Sequence, residues 1–144
     1  MHDRHSIALT DVPVELRLGV PEAERAHAQQ VLVSVFLHLF DPPHFARADR
    51  LAHTVDYDAI IAFLQSGLGR HGEIHLIETV ADVVAAHVLA LSPRIAFVEV
   101  EVKKPAVLEG AGLVSVSLRR YAEHATHRLA AMATEEDARA QARL

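Results

Sequence analysis

The segment QVLVSVFLHLF at 30–40 most limits what this chain can become. Its residues alternate with the period of a strand: Val31, Val33, Val35, Leu37 and Leu39 share one face, and Leu32, Ser34, Phe36, His38 and Phe40 share the other. The second face is too apolar to stand in water. A strand of this kind predicts cover on both sides.

Its neighbours say what the cover is. Residues 6–19 (SIALTDVPVELRLG) are also β-like, but Pro13 has no N–H for a ladder, which points to an edge strand or a bulge. After the turn-rich DPPHF at 41–45, residues 56–68 place Ile60, Ile61, Leu64 and Leu68 on one helical stripe, with Gly67, Gly69 and Gly72 marking the exit. A second helix from near Leu76 carries Ile77, Val80, Ala81, Val84, Val88 and Leu91 at spacings of three and four until Ser92 and Pro93 stop it. IAFVEVEV at 95–102 and LVSVSL at 113–118 then alternate again. The order is ββααββ. Its simplest packing is α+β, a four-stranded antiparallel sheet with two antiparallel helices on one face. Helices on one face leave the other bare, which predicts homo-oligomers in which several sheets join edge to edge. Residues 1–120 thus form the folded domain. The alanine-rich segment 121–144, with charges in i,i+4 reach, reads as a C-terminal helix or flexible tail.

Composition removes whole classes of function. The chain has 144 residues, a length that suits one domain, and a formal charge of -5 with no basic run to track a phosphate backbone, so nucleic acid is not an expected partner. Without cysteine there is no disulfide framework and no thiolate zinc site. No leader-like segment and no apolar run of about 18 residues is present, which predicts a cytoplasmic protein with no membrane partner. The 11 histidines invite a metal reading. Neither His71 with His75 nor His2 with His5 has a third ligand at recognisable spacing, so no metal is expected. Nucleophile motifs, phosphate loops and dinucleotide fingerprints are also missing.

One pair of residues stands out against this background. Lys103 and Lys104 are the only lysines in the chain; every other cationic side chain apart from histidine is arginine. Period two sends them to different places. Lys103 continues the face of Glu99 and Glu101 as a solvated partner, whereas Lys104 continues the face of Val98, Val100 and Val102 just as Pro105 ends the ladder. There a lysine either snorkels at the strand end or, partly desolvated, serves in proton transfer. The residues alone leave both open.

Four segments together carry a resemblance. LGVPEAERAHAQQVLVSV at 18–35, ADRLAHTVDYDAI at 48–60, LIETVADVVA at 76–85 and VEVEVKKPAVLEG at 98–110, followed by GLVSVSLRR at 112–120, resemble the dihydroneopterin aldolase family in order and spacing. The resemblance implies the tunnelling fold, in which such sheets assemble into a ring-like barrel, as tetramers or octamers with active sites between subunits. It implies a cofactor-free retro-aldol cleavage of 7,8-dihydroneopterin, a step of folate biosynthesis, to 6-hydroxymethyl-7,8-dihydropterin and glycolaldehyde. Epimerisation at C2′ is a possible accompaniment.

Residue by residue, the resemblance picks out Lys104, Tyr57 and Glu24 as catalytic and Glu78 as the anchor of the pterin. The 2-amino group and ring N–H of a pterin are parallel donors that one carboxylate accepts together, as it accepts an arginine fork. Glu78 falls in the first turn of its helix, where the macrodipole favours negative charge. Ile77 and Val55 would wall the pocket, and Thr54 would cap the helix or touch substrate. Asp49 would tie down its loop. Each has a plainer reading: Glu24 a loop acid paired with Arg25, Tyr57 a half-buried packing residue, Glu78 an ordinary first-turn glutamate. Ser34 departs from the family, standing where an aspartate is common. Two other functions share the resemblance or the scaffold: dihydroneopterin triphosphate epimerase, which should show extra cations at the pocket mouth, and a non-catalytic ring that binds pterins or purines.

Overall fold

The structure is a computed structural model, and it describes residues 3–105, 112–125 and 138–143. Most of the segment 121–144 therefore lies outside the described residues, and so do residues 106–110 of the quoted motif around the lysines.

Strands β1 (Ser6–Leu16), β2 (Gln29–Leu39), β3 (Ile95–Pro105) and β4 (Leu113–Tyr121) form one sheet in the order β1-β2-β3-β4, every pair antiparallel. Between β1 and β2 lies a single helical turn, α1 (Glu22–Arg25). Between β2 and β3 run α2 (Tyr57–Ala62) and α3 (Ile77–Leu91). The ββααββ order is borne out, with α1 added. As expected from Pro13, β1 is an edge strand, and it also carries a bulge between Leu9 and Val12.

That bulge is built by two residues. Asp11 adopts a φ of 51°, a left-handed conformation that aspartate tolerates better than most residues. Its N–H donates to Ser34 Oγ at 2.9 Å, and the same hydroxyl lies 3.3 Å from Asp11 Oδ1. Ser34 is the one buried polar residue among the described residues, and its hydrogen bonds explain why it can be. Lys103 reaches the same carboxylate at 3.2 Å and Glu101 at 3.3 Å, so its acidic partners come from two strands.

The core lies between the sheet and the helices. Val31, Val33, Val35 and Leu37 of β2, Val98, Val100 and Val102 of β3, Ile60, Leu64 and Leu68, and Val80, Ala81, Val84, Ala85 and Val88 of α3 are all buried in one cluster. The stripe expected over 56–68 exists, although α2 does not run through it as one α-helix. It widens into a π-helical turn at Phe63–Gly67 and tightens into a 3₁₀ turn at Leu68–His71. A side chain at Gly67 would meet the Phe63 ring at 2.7 Å, so the glycine makes room for that ring. Phe63 in turn stacks on His87 of α3, centroids 3.6 Å apart. Leu91, expected on the buried stripe of α3, is exposed at the end of the helix.

The opposite face of the sheet lies outside this cluster. Leu32, Phe36, His38 and Phe40 are half-buried there. His38 stacks on Phe97 at 4.0 Å, and Phe97 meets Tyr121 at 5.2 Å.

Candidate functional site

The site forms where the loop between β1 and β2 meets the end of β3. Lys104 follows Val102 on the core side of β3, but at this end the core gives way to the loop, and its ammonium meets a carboxylate there. Lys104 Nζ donates to Glu24 Oε2 at 3.4 Å. Both side chains are mostly withdrawn from water, 15% and 20% exposed, so each charge sits in a medium less polarisable than bulk solvent. The plainer reading that paired Glu24 with Arg25 is not what the structure shows. Neighbours on one helical turn point apart, and Arg25 turns back to the loop backbone.

Three residues shape the loop so that Glu24 faces Lys104. Gly19, with φ +143°, lies directly beneath Glu24: a Cβ there would come within 2.1 Å of Glu24 Oε2 and 2.6 Å of Glu24 Cβ. Gln29 Nε2 donates to the carbonyls of Leu18 at 2.5 Å and of Glu24 at 2.9 Å, which closes the loop from within. Arg25 Nη1 donates to the carbonyls of Gly19 at 2.9 Å and Val20 at 2.7 Å. Gln29 and Arg25 shape the site, and sequence reasoning assigned neither of them to it. Their task is to bond backbone carbonyls, and no spacing rule announces that.

The remaining candidate residues differ in depth and in the elements that carry them. Tyr57 is the first residue of α2 and is 51% exposed. Glu78 is exposed in the first turn of α3. Neither is joined to Glu24 or Lys104 by a hydrogen bond or ion pair among the described residues. Ile77 and Val55 are buried in the main core, and Thr54 is half-buried. The cap of α2 is not Thr54. Asp56 takes that place, its carboxylate accepting from the N–H of Asp58 at 3.0 Å, because it is the residue with extended backbone just before the first helical turn. Asp49 is exposed, and the loop around it is fastened by His53 Nδ1 against the Ala48 carbonyl at 3.0 Å.

The segment before α3 docks on the same loop. Leu18 and Ile74 form an isolated parallel bridge, and the Gly19 N–H donates to the Ile74 carbonyl at 3.3 Å. Among the described residues no group of three or more His, Asp or Glu is gathered so as to hold a metal ion. No described helix is long and apolar enough to cross a membrane.

The family model of dihydroneopterin aldolase (FolB) matches residues 7–119, a span that contains the whole sheet apart from its ends, α1 to α3, and the Glu24–Lys104 pair. The chain belongs to the dihydroneopterin aldolase family. Solved structures agree with this. Escherichia coli dihydroneopterin aldolase in complex with neopterin is 23% identical, over 81% of this chain and 98% of that one, with a TM-score of 0.71. A dihydroneopterin aldolase from Burkholderia thailandensis bound to guanine is 28% identical, over 83% and 92% of the two chains, with a TM-score of 0.66. The family fold also extends beyond the family: a uricase from Bacillus fastidious shares it at 17% identity and a TM-score of 0.55, with 44% of the uricase chain covered. No curated protein sequence matches the chain.

Proposed function

We propose that the chain cleaves 7,8-dihydroneopterin by a retro-aldol reaction, giving 6-hydroxymethyl-7,8-dihydropterin and glycolaldehyde. The observation that carries this reading is the half-buried Lys104–Glu24 pair at 3.4 Å, held on a loop shaped to present it. Such a pair can pass protons to and from a substrate placed beside it. Family membership, and relatives solved with neopterin and with guanine, support a ligand of the pterin type.

The substrate brings its own electron sink. Removal of the proton from the 2′-hydroxyl lets the C1′–C2′ bond break, glycolaldehyde departs, and the bonding electrons move through C6 to N5 of the imine, which takes up a proton. The resulting enamine is then protonated at C1′ while N5 loses its proton. Neither a Schiff base nor a metal is needed for that sequence. Lys104 assists the loss of the hydroxyl proton and the protonation near N5, Glu24 holds the side chain or a relaying water, and Tyr57 serves in proton transfer to C1′. Glu78 accepts the two parallel N–H donors of the pterin ring. An exposed Tyr57 that is not bonded to the pair fits a pocket built between subunits of a homo-oligomer, in which the tyrosine acts on substrate held by a neighbouring chain.

Anaerobic incubation with 7,8-dihydroneopterin, followed by iodine oxidation and fluorescence chromatography, tests the reading, with Lys104→Ala beside the native chain. The expected result is 6-hydroxymethylpterin from the native chain and none from the variant. Formation of the C2′ epimer alone would replace the aldolase by an epimerase. Substrate returned unchanged but bound would make the assembly a binding ring.

A further inference from the structure

The Glu24–Lys104 pair and Glu78 belong to different segments, yet a substrate held by its ring and cleaved at its side chain must meet both at a fixed separation. Something has to set that span. The two segments meet at one junction, made by the Leu18–Ile74 bridge, the Gly19 N–H to Ile74 carbonyl bond, and Arg25.

Arg25 is unusual in that it works on both sides of this junction. On one side its Nη1 holds the carbonyls of Gly19, the residue directly under the Glu24 carboxylate, and of Val20. On the other its Nε approaches Glu73 Oε2, at 3.7 Å, immediately before Ile74 and five residues before Glu78. The Arg25 side chain is 14% exposed, and its Nε is shut off from solvent without a hydrogen bond. A buried donor left so is costly, and it is tolerated where the rest of the side chain is held by other demands. The Glu73 side chain is itself 75% exposed, and its Oε2 also lies 3.7 Å from His75 Nε2.

We infer that Arg25 is a positioning residue which fixes the distance between the proton-transferring pair and the pterin anchor. It touches neither the reacting atoms nor the ring. This rests on the proposed aldolase reading, because the span matters only if one ligand bridges both ends. A misplacement of about 1 Å between reacting groups can lower a rate about 100-fold while the anchor still binds. Removing the clamp should therefore fall on kcat and leave KM nearly alone.

The test compares Arg25→Ala, Arg25→Lys and Glu73→Gln with the native chain. Steady-state turnover of 7,8-dihydroneopterin is measured together with amide hydrogen exchange at residues 18–25 and 72–78. Expected are a fall in kcat of about 100-fold for Arg25→Ala with KM within about threefold, partial rescue by lysine, a smaller fall for Glu73→Gln, and faster exchange in both segments at once. Arg25→Lys and Glu73→Gln keep the test open if Arg25→Ala does not fold. A loss confined to KM, unchanged kcat, or faster exchange in 18–25 alone would overturn the inference. If the native chain itself fails to turn over the substrate, the functional reading falls, and the exchange data still decide the junction: unaltered exchange at 72–78 in the variants would refute the coupling.

Discussion

Gly19→Ala puts the geometry of the site under direct strain. Its φ of +143° is a conformation that residues with a side chain rarely adopt, and holding alanine there costs on the order of 1–3 kcal/mol. The new methyl would also meet Glu24 Oε2 at 2.1 Å and Glu24 Cβ at 2.6 Å. The first clash a rotamer change can relieve; the second needs the backbone of α1 to move. Overpacking of this kind costs a further 1–3 kcal/mol or so if nothing yields. The loop is at the surface and will yield, so a stability loss near the lower end of the sum, about 2 kcal/mol, is expected. Function should suffer more than stability. For ordinary van der Waals contact the Glu24 carboxylate has to move by more than about 1 Å, which disturbs its contact with Lys104 and projects to a rate loss of about 100-fold.

The assay is urea unfolding at one fixed protein concentration, with turnover measured on the same preparations. Gly69→Ala is the control, since nothing lies within 4 Å of its Cβ position and its φ is not of the left-handed kind. It should gain about 0.4–1 kcal/mol through the unfolded chain alone. A Gly19→Ala variant with native stability and native turnover would refute the idea that this glycine is required by Glu24.

Three further outcomes follow from the structure. Glu78→Gln should raise KM for dihydroneopterin by at least about tenfold with a lesser effect on unfolding, because the residue is exposed in the helix end and its proposed task is a charge-assisted bond to the pterin; an unchanged KM would remove Glu78 as anchor. Burial holds His38 and His87 below the ordinary imidazole value of 6.5, with Glu99 opposing the shift at His38 and Arg119 adding to it. The unfolded chain then takes up protons that the folded one resists, so stability should be full above about pH 6.5 and fall as pH drops through that value; thermal unfolding at pH 7.5 and 5.5 should show the drop, smaller in His87→Gln, and an equal drop in that variant would point elsewhere. Ser34→Ala should cost about 1 kcal/mol in urea unfolding by stripping the Asp11 N–H of its partner. Ser34→Asp should cost more, because a second carboxylate would face Asp11.

Period alone carried most of the architecture. The strand expected at 30–40 runs from Gln29 to Leu39, and the helix expected from Leu76 runs from Ile77 to Leu91. What period could not carry were local departures from it. Spacings of four residues in Ile60, Leu64 and Leu68 fit a uniform helix as well as one that widens at Phe63–Gly67, and the difference lies in how the Phe63 ring packs. Pro13 announced an irregular edge, but the irregularity sits at Asp11, where a carboxylate and a cross-strand serine satisfy the bulge. Lys104 was legible as a lysine at the end of a core face. Its partner was not, because Glu24 is 80 residues away and only the family order of motifs picks out both.

The bonds that shape the loop between β1 and β2 run between residues only five to eleven positions apart: Arg25 to Gly19 and Val20, Gln29 to Leu18 and Glu24, and Arg17 to Ala26. Apart from the junction at Glu73 and Ile74 and the pair with Lys104, the loop fastens itself. Lys104, by contrast, is delivered by the sheet and needs nothing from the loop except a carboxylate to meet. Such a division makes residues 17–29 a cassette: their sequence can drift, lengthen or be exchanged for a relative's without altering strand register, provided the closing amide, the clamp and the glycine travel together and a carboxylate at position 73 meets the clamp. Variation in chemistry on this scaffold should therefore arrive as swaps of that short stretch, and grafting it whole should succeed where single substitutions within it fail.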